Sequence, residues 1–105
     1  MKLLSIETIP GTEYEALDMV KGTVVQSKNF GKDFMAAMKT LVGGEIVGYT
    51  EMLNEARQIA VKRMVDEAKE LGADAVVGVR YGSSQVMSGA AEVIAYGTAV
   101  KYITK

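Results

Sequence analysis

The sequence predicts an α+β fold in the order ββααββ: an antiparallel-rich sheet with two helices packed on it. Three observations predict it. The segments "MVKGTVVQS" and "EVIAYGTAVKYI" are rich in Val, Thr and Tyr, residues that suit a pleated, half-buried surface. Between them, apolar residues recur at helical spacing and glycines punctuate the runs. "LGADAVVGVRY" then reads as a helix end, a tight glycine turn and a buried strand.

The elements follow in chain order. "KLLSIET", Lys2 to Thr8, alternates in part and reads as a short strand. Pro10-Gly11 suits the centre of a type II turn, because proline presets the first angle and glycine accepts the positive second one. Tyr14 to Ser27 reads as a second strand, with Gly22 marking a bulge or the close approach of another backbone. Asn29 is placed to cap a helix running to about Val42, whose apolar face is Phe34, Met35, Met38, Leu41 and Val42. Gly43 suits the left-handed position beyond its end. A longer helix begins between Gly44 and Thr50 and stops at Leu71, before Gly72. A buried strand from Ala75 to Tyr81 follows. The last strand returns beside it as a hairpin through a turn near Ser88-Gly89. There is no internal repeat, linker or low-complexity segment, and residues 1–105 read as a single domain.

Within the long helix, Leu53, Ala60, Met64, Ala68 and Leu71 are expected on one stripe against the sheet. Glu51, Glu55, Gln58, Lys62, Asp66 and Lys69 fall opposite, facing water. Met52, Ala56 and Ile59 form a second apolar patch to one side, wider than a helix on one sheet needs. That patch, a sheet with two open edges and a chain of only 105 residues predict a homo-oligomer.

Composition excludes more than it selects. A net charge of −1 and a sequence pI near 5.4 give no basic footprint for nucleic acid or an anionic membrane. No apolar run approaches the roughly 20 residues that span a bilayer. "MKLLSIETIPG" breaks its apolar run at Ser5 and Glu7, unlike a signal peptide, so a cytoplasmic protein is expected. With no Cys and no His there is no thiol nucleophile, imidazole base, disulfide or soft nitrogen or thiolate ligand.

In order and spacing, Gly22 within "VKGTVV", "GKDF", "GGEIVGYT", "EARQIA", "LGADAVVGVRY" and the terminal "YGTAV" resemble the YbjQ-like family, whose label is heavy-metal-binding. The resemblance covers nearly the whole chain. It implies a small α+β subunit assembled as a ring-like homopentamer, with sheets and short strands joining neighbours, and no established activity. The metal label sits awkwardly on these residues. Soft metals prefer thiolate and thioether donors, and the only soft donors here are seven methionines, most of them on apolar helix faces. A hard divalent metal held by Asp33, Glu45, Glu51 and Glu55 is the chemical alternative, although their spacing matches no loop motif. No cofactor is evident.

Arg57 is the residue whose place demands a partner, since it falls inside the expected buried stripe and keeps its charge. Glu45, Asp33 and Glu92 are candidate partners in a structural ion pair. The functional alternative is a small-anion or ion site at a subunit interface, built from Arg57, Glu45, Tyr49 and Asp33. Gly43-Gly44 could form a nest of backbone N–H groups. No Lys-Ser or Lys-Thr follows, and Glu45 would repel phosphate, so a hinge between helices is the better reading. Tyr49 reads as a core aromatic, and Glu51 with Glu55 as a solvated i, i+4 pair. Gly97 and Thr98 of "YGTAV" are read as permitting close strand contact. Ser83 and Ser84 have no histidine to activate them. A binding or scaffold protein is therefore expected ahead of a metal-binding protein, and either ahead of a carboxylate-based enzyme.

Overall fold

The computed structural model describes residues 1–27, 47–87 and 89–103, with side chains of the helix from Thr50 onward. Its elements are β1 (Lys2–Leu3), β2 (Tyr14–Ser27), α1 (Val47–Glu70), β3 (Ala75–Met87) and β4 (Ala90–Tyr102). The sheet order is β1-β3-β4-β2, with β1 parallel to β3 and the two long pairings antiparallel. The expected α+β class, β2, the long helix and the final hairpin are all present. The helix expected from Asn29 to Val42 lies outside the described residues, as do the Gly43-Gly44 hinge and the predicted site residues Asp33 and Glu45. The first strand is shorter than expected, and β3 runs six residues past Tyr81.

Local chemistry accounts for the joints. Thr12 N–H donates to Ile9 O at 3.0 Å and Gly11 holds φ at 73°, as a type II turn over Pro10-Gly11 requires. At the end of α1, Gly72 N–H donates to Lys69 O and Ala73 N–H to Ala68 O, with Gly72 at φ 76°. That is the Schellman arrangement, which only a residue tolerant of positive φ closes without strain.

Among the described residues, two small cores lie on opposite faces of the sheet. On the helix side, Ala56, Ala60, Met64 and Ala68 pack against Val20, Val24, Val76, Val93, Ala95 and Ala99. On the other side, Ile9 from the β1–β2 connection covers Ala75, Val77 and Val100, with Leu4, Tyr14 and Tyr102 around it. The buried stripe of α1 is Met52, Ala56, Ala60, Met64 and Ala68, all fully inaccessible. This corrects the expected stripe. Met52 and Ala56 are core and not a spare patch, while Leu71 is 43% exposed and Leu53 only partly covered. Steps of four residues advance the contact line about 40° each, so it winds around the helix and follows the twist of the strands below. A straight stripe does not.

Gly22 lies where α1 crosses β2. A Cβ there would stand 1.9 Å from the Ala60 carbonyl oxygen and 2.5 Å from Met64 N. Of the two roles expected for it, close backbone approach is the one realised; the bulge in β2 lies between Ala16 and Asp18. Gly97 is also tight, with Val76 Cγ1 and Val77 O at 2.8 and 2.9 Å from a Cβ position.

The molecule is long for its mass. Its extents are 60 × 24 × 17 Å and its radius of gyration is 17.5 Å, against about 13 Å for a compact domain of this length. Strands of 13 and 14 residues set that length.

Candidate functional site

α1 crosses β2 and β4 and makes little contact with β3. On the helix-facing side β3 is therefore left partly uncovered, and Tyr81 sits there in register with Ala95 of β4, itself opposite Gly22 of β2. The gap is an open groove of about 580 Å³ lined by Asn54, Arg57, Gln58, Val61, Lys62 and Tyr81. The five helix residues recur at intervals of three and four, so they form one flank of α1, and Tyr81 forms the facing wall.

Among the described residues the lining carries two cations, two carboxamides, one phenol and one valine, and no carboxylate. Lys62 Nζ pairs with Asp66 Oδ2 at 2.9 Å, one turn along the helix. Arg57 is half-buried and donates from Nη2 to Asn54 Oδ1. Its place corrects the expectation: it stands on the flank of the buried stripe, about 100° around the helix from Ala56, and its partner is a neutral carboxamide one turn earlier. Among the described residues Arg57 makes no ion pair with Glu92 or any other carboxylate; Glu45 and Asp33 lie outside them.

The other arginines are used differently. Arg63 Nη1 donates to Thr23 O on β2 at 2.6 Å, and Arg80 Nη1 donates to Ser5 O at 2.6 Å and Val79 O at 3.0 Å. Each fastens one chain segment to another. Among the described residues Arg57 fastens nothing beyond its own helix.

The remaining predicted site residues are dispersed. Glu51 and Glu55 are exposed on the outer face of α1, as expected. Tyr49 belongs to the helix backbone, and its side chain lies outside the described residues. Among the described residues no three Asp, Glu, His or Cys side chains gather as a metal site would require. Sequence reading missed Asn54 and Tyr81, and placed Gln58 and Lys62 on a featureless wet face. Asn54, Arg57, Gln58 and Val61 share a helix flank at visible spacing. What is not visible in one dimension is the register that sets Tyr81 across from them.

The chain resembles known proteins along nearly its whole length. Residues 1–103 match the YbjQ family model, described as "Putative heavy-metal-binding". The chain belongs to the YbjQ family. A UPF0145 protein of Clostridium novyi is 59% identical over 103 residues, covering 98% of this chain and all of the relative. A UPF0145 protein of Thermotoga maritima is 61% identical, covering 96% of each. A crystal structure of a protein of unknown function from Pediococcus pentosaceus, assigned to the DUF74 family, superposes with a TM-score of 0.64 at 18% identity over 98% of both chains. That likeness shows a shared α+β fold. The names of these similar proteins state no reaction. Among the described residues no helix is long and apolar enough to cross a membrane.

Proposed function

We propose that this YbjQ-family chain is one subunit of a ring-like cytoplasmic homo-oligomer, a homopentamer, that binds or scaffolds and does not catalyse. A small-anion site lies at the Arg57 groove, near the subunit contacts. The observation that supports assembly is the sheet's two unfinished edges. Among the described residues β2 pairs with β4 alone along its whole length, and β3 beyond Arg80 has β4 on one side and no strand on the other. Such edges are templates for another strand. The β2 edge of one copy against the β3 edge of the next is a head-to-tail contact, and repetition of it closes a ring.

The face away from α1 supports the same reading. Beyond the Ile9 core it leaves Met19, Val25, Tyr96 and Met87 in solvent, with Val25 and Met87 61% and 66% exposed. An isolated subunit gains nothing from that surface, whereas a neighbour would bury it. Sedimentation velocity at micromolar concentration tests the proposal: an oligomer is expected, and Val25→Lys combined with Met87→Lys should shift it to smaller species. A stable wild-type monomer would overturn the assembly. The family description, heavy-metal-binding, favours the alternative, a metal-binding protein, which on this chain would use carboxylate ligands for a divalent ion. Native mass spectrometry against a panel of divalent ions tests that reading, and a protein that stays metal-free with an unchanged Tm removes it.

A further inference from the structure

We propose that the Arg57–Tyr81 groove binds a small organic anion, a carboxylate or phosphate carried on a flat unsaturated body. The proposal deepens the small-anion reading above and rests on it.

The charge of the ligand follows from what each side chain in the groove has left to offer. Three arginines occur in the chain. Two spend guanidinium donors on backbone carbonyls of other segments. Among the described residues Arg57 meets only the Asn54 carboxamide oxygen, which satisfies one N–H and neutralises no charge. With its oxygen engaged, Asn54 has its amide N–H pair to donate. Gln58 adds a second carboxamide one turn on, and Lys62 adds a positive charge shared with Asp66. Among the described residues of the lining, donors therefore dominate and no carboxylate stands, on a chain that is net negative. A guanidinium fork matches the two oxygens of a carboxylate or phosphate.

The body of the ligand follows from the opposite wall. Tyr81 is 58% exposed and, with Val61, supplies the apolar surface of the groove. An exposed ring facing a cationic flank suits a flat π-system stacked on it while its anionic group reaches Arg57. The volume, about 580 Å³, falls within the roughly 300–1,000 Å³ of small-molecule sites. Inorganic phosphate would leave the ring and Val61 unused. A nucleic-acid strand would need a longer basic track than two cations provide.

Titration calorimetry on the full chain, with phenyl phosphate, benzoate, inorganic phosphate and neutral benzyl alcohol as probes, tests this. Phenyl phosphate should bind at least ~10-fold tighter than inorganic phosphate, and benzyl alcohol should not saturate. Arg57→Gln should weaken both phosphates ~10-fold or more, whereas Tyr81→Ala should weaken phenyl phosphate ~3-fold or more and leave inorganic phosphate unchanged. Equal affinity for the two phosphates, or wild-type affinity in Arg57→Gln, overturns the site. Sedimentation of the same variants separates the two readings. Arg57→Gln breaking the oligomer would make the groove a subunit contact and overturn the ligand. Wild-type protein that is monomeric yet binds phenyl phosphate would overturn the assembly and uphold the ligand.

Discussion

The two flanks of α1 are built from similar residues and do opposite things. Towards β2 the helix is pressed down until the Ala60 carbonyl occupies the space a Cβ of Gly22 would take, and Arg63 reaches over to the Thr23 carbonyl. Towards β3 the helix stands clear, and Arg57, six residues before Arg63, turns to Asn54 beside an open groove. Small residues explain the asymmetry. Gly22, Ala56 and Ala60 draw α1 onto β2, and a helix drawn to one side of a three-strand surface must uncover the other. The groove is thus a consequence of the tight flank.

The comparison predicts unequal sensitivity. Gly22→Ala should have the largest effect, because its Cβ meets helix backbone, which cannot swing aside as a side chain can. A loss of roughly 4 kcal/mol or more is expected, a large part of the ~5–15 kcal/mol of a whole domain. Urea denaturation followed by circular dichroism reads it, and a variant as stable as wild type would show that the contact gives way freely. Met64→Ala, beneath the middle of the helix, empties a fully buried side chain. It should lower stability by about 3 kcal/mol, with no change in probe binding at the groove.

Much of this was legible in one dimension. The turn at Pro10-Gly11, the helix stop at Gly72, the span of β2 and the tightness of Gly22 and Gly97 are local or steric properties, which residue type announces. The tilt of the helix stripe was not. Met52 and Ala56 look peripheral on a straight helical projection and become core only because the sheet beneath is twisted. The same rotation moved Arg57 from the expected buried stripe to its flank. The groove was less legible still, since one wall is a strand residue 24 positions after Arg57 whose facing depends on the bulges in β3.

Between the two arginines the prediction is graded. Arg63→Ala removes a hydrogen bond that ties α1 to β2 across 40 residues of chain. Because the donor is exposed, a cost of about 1 kcal/mol is expected. A shift of Tm by a few degrees in calorimetry measures it, and no shift at all would mean that the close contact at Gly22 suffices to hold this flank.

Arg57→Gln should change stability least. It deletes a bond between two residues of the same helix one turn apart, on a surface where ordinary substitutions stay within about 0.5 kcal/mol. Gln also keeps helix propensity close to that of Arg, so the backbone has no reason to respond. Stability near wild type beside lost anion binding would separate the flanks by role, one holding the fold and the other facing a ligand. Destabilisation equal to that of Arg63→Ala would contradict this, because it would mean that Arg57 braces the helix after all. Paired melts of the two variants decide it, with Lys62→Ala as the reference for an exposed i, i+4 pair whose removal costs about 0.5 kcal/mol or less.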